Sequence, residues 1–451
     1  MIPEPRNKEQ CFEQLLLGKA IKSTVQSGAW LERIRQDALQ HAAALNFPSP
    51  RNDDWRFTDL SPLFSHHFQP IESYAQVALG AIERFLIPDS IRLVFVDGSY
   101  APELSDLGFS DLSQAGTGVT VASLAERYGD SRVEENFGKQ APYKHDAFVA
   151  LNTNFFEDGA WVHVAKKITK PIHLLHVATR RETASAIYPR CMVVMEPFSR
   201  ATIVEDYVGQ DNGDQSGSDQ NGGIYFTNAV TEIILREHAQ LHHVRLQREE
   251  KNAFHIGHCS VEARKDSVYT ATSVALGARL SRHVVHVTQQ GAGVEMHLDG
   301  LALIAGRQTA DTHTLIDHAA PRGKSVQLHK CIADGSAHAV FSGKIRVHVG
   351  AVGTDSAQSS RNLLLSDKAR IDTQPQLEIF NDDVKCKHGA TVGQIDTEAL
   401  FFLKSRGFSE ERARNLLTHA FAAEIIAKIP VPSLVESLSQ TILERMSGGQ
   451  T

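Results

Sequence analysis

Two side chains with metal-binding chemistry, Cys386 and His388, stand two residues apart in the run Pro375-Gln-Leu-Glu-Ile-Phe-Asn-Asp-Asp-Val-Lys-Cys386-Lys-His388-Gly-Ala-Thr-Val-Gly393. On an extended strand that spacing projects both from one face. A thiolate beside an imidazole suits a soft metal such as iron or zinc. Two donors do not complete a tetrahedral site, so further ligands must come from elsewhere in the chain or from a partner. The same pair also reads as a packed cysteine and a turn histidine that close a β region, and residue types alone leave both readings open.

The remaining chemistry-bearing groups are weaker. His255-Ile-Gly-His258-Cys259 offers three donors within five residues, but neighbours on a strand face opposite ways and these cannot all converge. They read as ordinary sheet residues, as does His242-His243 for the same reason. Asp382 and Asp383 could be imagined as the acid/base pair of a glycosidase, yet adjacent strand residues diverge, and a solvated turn fits better. Gly323-Lys324-Ser325 resembles the end of a phosphate loop, but His318 occupies the position where the leading glycine is required, which argues against nucleotide hydrolysis.

The elements that must position these groups follow from hydrophobic period. Phe12, Leu15, Leu16 and Ala20, then Leu31, Ile34, Ala38 and Ala42, recur at three- and four-residue steps and predict two helices, the second stopped by Pro48 and Pro50. Residues 1–85 form a helical N-terminal domain, and 86–165 a mixed α/β connecting region in which Ile91–Val96 is a strand followed by the turn Asp97-Gly98. Between 166 and 396 short β runs separated by Gly, Asp and Ser turns take over. Several share an Ala-x-aliphatic start: Ala201, Ala239, Ala278 and Ala369, with Ala337 as a longer variant. Their irregular recurrence suits a β-solenoid, whose turns vary in length, better than a sandwich. The stretch Asp211–Gly223 is too polar to bury surface and reads as an insertion.

Residues 397–451 return to helical period. Leu400 and Leu403 before Gly407 mark a short helix, and Ser409 followed by Glu410 and Glu411 caps the next. That helix should bury Leu416, Leu417, Ala420, Phe421 and Ile425, and Ser433–Glu436 reads as a capping box opening a last helix with Leu434, Leu438 and Ile442 on one stripe.

Composition narrows the class. With 451 residues the chain exceeds one ordinary core, and its formal charge of -7 gives no general attraction to nucleic acid. Neither a secretory signal nor a run of apolar residues long enough to span a bilayer is visible, so no membrane partner is expected. Five scattered cysteines fit no disulfide framework and point to a reducing cytoplasm.

The segment from Lys368 through Gly407 resembles the SufD family of iron-sulfur cluster assembly proteins almost position by position. Trp55-Arg-Phe-Thr58, Leu93-Val-Phe-Val-Asp-Gly98, Leu328-His-Lys330 and Ala339-Val-Phe-Ser-Gly343 extend the likeness over the whole chain. His388-Gly-Ala-Thr391 favours this family over its sister SufB, which typically carries His-Glu-Ala-Thr. Asp54, where a glutamate often precedes the tryptophan, and a longer 211–223 insertion are the departures.

The resemblance implies a mainly β protein: a right-handed parallel β-helix core flanked by α-helical N-terminal and C-terminal domains. It implies a non-catalytic scaffold that pairs with SufB through the β-helix and recruits the SufC ABC-type ATPase through its C-terminal helices. Whether the isolated chain pairs with itself as a homodimer stays open. In the family the histidine matching His388 helps hold a transient, nascent iron-sulfur cluster at the SufB interface; Cys386 matches the family cysteine, for which a structural role stays open. A flavin on the complex also belongs to the family picture, although no motif here marks a site for it. Two rival readings are an exported β-helix carbohydrate-active enzyme, which would need clustered carboxylates and aromatic subsites, and a stand-alone zinc protein using His255, His258 and Cys259.

Overall fold

The computed structural model describes residues 28–45, 47–71, 74–108, 118–210 and 223–447. The helix expected around Phe12–Ala20, Cys11 and nearly all of the polar insertion lie outside these residues.

The chain winds as a parallel β-helix. Its strands alternate between two sheets, so each pairs with the strand one coil earlier and one coil later. One sheet runs from Val119–Ser123 and Gly159–Val164 through Arg190–Met195, Tyr225–Leu235, Phe254–Ala263, Leu280–Gln289, Thr309–His318 and His338–Val347 to Arg370–Ile379. The second runs from Ile91–Val96 and Ile172–Ala178 through Arg200–Gly209, Gln240–Arg248, Val268–Ala275, Glu295–Ile304, Lys324–Ala333 and Thr354–Leu364 to Val384–Gln394. Parallel pairing therefore begins ahead of residue 166: Ile91–Val96 already pairs with Ile172–Val177, and Gly159–Val164 with Arg190–Met195. The two sheets enclose a lumen filled by alternate side chains, as the pleat requires.

The Ala-x-aliphatic runs do open strands, but they do not count coils. Ala239 precedes a strand of the second sheet and Ala278 one of the first, so their separation is not one turn of the solenoid. Ala337 and Ala369 do lie one coil apart, because His338 sits beside Arg370. Coil length varies with the turns, which is why no fixed period shows in the sequence.

Both ends are fastened by particular residues. Asp97 and Gly98 both adopt positive φ (52° and 87°), the twist of a two-residue hairpin turn, and return the chain as Ser99–Tyr100. The helix Ala29–Leu45 buries Leu31, Ala38 and Ala42. The Trp55-Arg-Phe-Thr58 segment anchors the N-terminal region to the outer face of the solenoid. Trp55 lies 3.9 Å beneath the Arg282 guanidinium, and Thr58 Oγ1 donates to Asp311, which also pairs with Arg282.

At the C-terminal end Thr397–Ser405 is capped by Asp396 and stopped by Gly407 (φ 88°). Gly407 N–H donates to the Lys404 carbonyl and Phe408 N–H to that of Leu403, the paired bonds of a Schellman stop. Ser409 caps Glu410–Ile426 by accepting from Arg412 N–H at 3.3 Å. That helix buries Ala413, Ala422, Ile425 and Ile426 rather than the whole expected stripe. Leu416 and Ala420 are exposed, because the sheet meets a face rotated towards Ala422 and Ile426. The last helix starts at Pro432, with the Val431 carbonyl accepting from Leu434 and Val435, so Ser433 sits inside the first turn and is not the cap. Proline's fixed φ suits that first helical position. Leu434, Leu438 and Ile442 are buried as expected, against an apolar patch that includes Val274, Leu301 and Leu303 of the second sheet. Fully burying each such side chain contributes about 1.5–3 kcal/mol. Lys330 Nζ locks the docking by donating to the Phe421 carbonyl (2.8 Å) and to Glu424, and Lys428 bonds Asp299 at 2.7 Å. Among the described residues no helix is long and apolar enough to cross a membrane.

Candidate functional site

Cys386 and His388 lie on Val384–Gln394, the outermost strand of the second sheet, which pairs on one side only, with Thr354–Leu364. The first sheet ends likewise on Arg370–Ile379. Both sheets thus stop at the same end of the solenoid with unpaired backbone. Around that end Val349, Val352, Ile379, Phe380 (59% exposed) and Val392 stand in solvent, an unusual density of exposed apolar side chains.

Register shows where the two donors face. His388 stacks on Gln358, which stacks on Gln327, Leu298, Ala271 and His243, all positions that point into the lumen. Cys386 stacks on Ser356 and Ser325, whose hydroxyls bond each other at 2.5 Å. The expected sharing of one face therefore holds, and the shared face is the lumen. His388 is exposed because no further coil covers it. Cys386 is half-buried against Ile345, Val347 and Ala351. Burial, with the nearby Asp355 carboxylate adding to it, pushes the Cys386 thiol above its ordinary value. It is therefore a thiol at neutral pH and must lose its proton to bind metal.

The lumen below is polar along its middle. Glu205 accepts from Tyr207 (2.9 Å) and Thr231 (3.0 Å) and pairs with His243 at 3.1 Å. Burial opposes both charges, but each holds the other: His243 is raised to about 10 and Glu205 lowered to about 2. Burial, with no such partner, lowers His329 to about 3 and keeps it neutral, stacked 4.1 Å from the Phe341 ring. A small cavity lies between His243, Cys259, Thr272, His283, Thr314 and His329.

The weaker candidates take structural places. His255 faces inward and bonds Glu249 at 2.7 Å, while His258 faces the other way and bonds Ser260 at 2.9 Å. Cys259 is buried beside Tyr269. His243 is a lumen residue and His242 projects from the opposite face of the same strand. Asp382 and Asp383 are exposed in the turn before the last strand, where Asp383 N–H donates to the Asn381 side chain. Gly323 serves packing: a Cβ there would sit 2.0 Å from Gln289 Oε1 and 2.5 Å from His318 Nδ1. Lys324 is exposed and pairs with Glu295. Among the described residues no three His, Cys, Asp or Glu side chains converge to hold a metal.

Sequence reasoning missed the lumen residues Gln327, Gln358 and Gly343. The signal was present in Thr354–Leu364, where the buried alternate positions are Thr354, Ser356, Gln358, Ser360 and Asn362, a polar stripe where an apolar one is the usual mark of an inward face.

Comparison with known proteins points to one family. Residues 176–421 match the family described as SUF system FeS cluster assembly, SufBD core domain, and residues 7–174 match the SufBD protein N-terminal region. An iron-sulfur cluster assembly SufBD family protein of Synechocystis is 39% identical over 412 residues, covering 90% of this chain and 89% of that one. The iron-sulfur cluster assembly protein SufD of Escherichia coli is 30% identical over 455 residues, 99% of each chain. The SufD protein of Bacillus subtilis is 25% identical over 438 residues, 94% of this chain and 96% of that one.

Proposed function

Since this chain belongs to the SufBD family of the SUF iron-sulfur cluster assembly system, we propose that it acts as the SufD-type scaffold, pairing its open solenoid end with the sister subunit SufB. The observation that carries this reading is the coincidence at one place of two unpaired sheet edges, exposed apolar side chains and His388 at the top of the lumen ladder. A row of free backbone N–H and C=O groups is a template for strand addition from another chain. Pairing there would bury His388 and bring it a partner's donors, which completes what one imidazole and one thiol leave open. The nascent cluster is cargo, held between subunits and passed on. His388 is the ligand from this side, and Cys386, half-packed into the apolar wall, contributes mainly to the shape of the site.

The C-terminal helices are the docking element for the SufC ATPase in this reading. Thr397–Ser405 buries none of its residues and leaves Phe401 73% exposed beside Phe402, with Leu416 also exposed on the next helix. ATP-driven closure of two ATPase subunits would pull on these helices and shift the paired solenoid ends, opening the site to iron and sulfide by a rigid-body motion. This chain itself carries out no covalent catalysis. When the sister chain is absent the same open end pairs with a second copy.

The test is co-expression with SufB and SufC, with and without His388→Ala, then anaerobic purification and assay of iron and sulfide per complex. An intact complex that has lost its cluster supports the reading. Full cluster occupancy in the variant would make this chain an architectural partner only.

A further inference from the structure

The residue directly beneath His388 in the ladder is Gln358. It is 3% exposed, and neither its Nε2 nor its Oε1 has a protein partner. One coil deeper Gln327 accepts from Thr314 Oγ1 at 2.8 Å, while its own Nε2 is unpartnered. Across the lumen the chain has made room for the carboxamide: a Cβ on Gly343 would lie 1.8 Å from Gln358 Nε2. Thr373, one coil above Phe341 on the opposite wall, also has an unpartnered hydroxyl. Buried polar groups are nearly always satisfied, so a carboxamide kept buried with both ends free, one coil below an open end, points to a partner supplied at that end.

We propose that Gln358 is the positioning residue for His388. The two side chains do not bond in the free chain; when a partner chain covers the open end and the imidazole turns down over Gln358, the carboxamide oxygen accepts the N–H of one imidazole nitrogen, which fixes the tautomer and leaves the other nitrogen, with its lone pair, free for the cluster's iron. Histidines that bind metals depend on such a second hydrogen bond for orientation and basicity. The inference rests on the reading of His388 as a cluster ligand and deepens it by naming what holds the ring.

Three variants separate the two claims in the co-expressed complex: Gln358→Leu, which keeps volume and removes the acceptor; Gln358→Glu, which keeps an acceptor; and His388→Ala. Iron affinity of each purified complex is measured by anaerobic titration, and assembly by size-exclusion chromatography. Gln358→Leu should lose about 10- to 100-fold in iron affinity with the complex intact, and Gln358→Glu should retain it. A second readout is taken in the complex reconstituted with this chain labelled with 15N-histidine: the His388 signal, identified by its loss in His388→Ala, should report one tautomer in the wild type and a mixture in Gln358→Leu. Unchanged tautomer populations, or unchanged affinity in Gln358→Leu alongside loss in His388→Ala, would overturn the inference and leave the cluster-ligand reading standing. Unchanged affinity in His388→Ala would overturn the reading itself.

Discussion

Replacing Asp311 by alanine should release the N-terminal anchor from the solenoid. The carboxylate is fully buried, pairs with Arg282, accepts from Thr58 and has His313 Nε2 3.0 Å away. Its removal leaves the Arg282 guanidinium, itself buried and stacked over Trp55, without a counter-charge, a change that costs about 3–5 kcal/mol. Thr58→Val removes a single hydrogen bond to a charged acceptor and should cost about 1.5–3 kcal/mol. A chain of this length need not unfold in one step, so the effect is read locally, as hydrogen exchange of amides in residues 53–64, which include the Thr58 and Leu63 donors. At ~1.4 kcal/mol per tenfold, exchange in Asp311→Ala should accelerate by roughly 10²- to 10⁴-fold. The Thr58→Val increment should largely disappear in the Asp311→Ala background, since both act through one carboxylate. Burial would raise the Asp311 carboxyl, but Arg282 and His313 win and hold it below the ordinary value. A depressed carboxyl contributes fully above the unfolded value near 4 and loses its contribution as pH falls through the folded one, so the difference from wild type should fade on acidification. Exchange within threefold of wild type at neutral pH would refute the reasoning.

Other perturbations test other joints. Lys330→Met keeps the stem and removes two hydrogen bonds to the C-terminal helix; with the apolar patch intact, protection in Glu410–Ile426 should fall by about 1.5–3 kcal/mol while the helix stays docked, as hydrogen exchange will report. Glu205→Gln deprives His243 of the partner that raises it, so its titration in NMR should drop from about 10 to below the ordinary histidine value. In the wild type the His243 contribution to stability is complete below its ordinary value near 6.5 and is lost as pH rises through about 10. Gly159→Ala places a Cβ 1.8 Å from the Arg190 carbonyl oxygen, a backbone atom that cannot rotate away, and should lower the melting temperature and soluble yield. Val392→Glu on the open edge should leave the isolated chain folded by circular dichroism and prevent pairing with a partner subunit in size-exclusion chromatography.

Much of this protein was legible in the residues alone. Asp97-Gly98 marks a tight turn, Gly407 after Leu403 stops a helix, and Ser409 starts one, because each depends on torsions and hydrogen bonds within a few positions. The i and i+2 spacing of Cys386 and His388 likewise guaranteed a shared face on any strand. The 368–407 run carried the family likeness for the same reason, as an unbroken local pattern. Which face the helix Glu410–Ile426 buries was less secure, since Leu416 and Ala422 both offer apolar surface and only the position of the sheet chooses between them. Register decided the rest. Gln358 lies beneath His388, and Gly343 clears space for it, only because intervening turns of unequal length bring those residues into adjacent coils, and stacking across coils is a property of the closed winding that no period in the chain records.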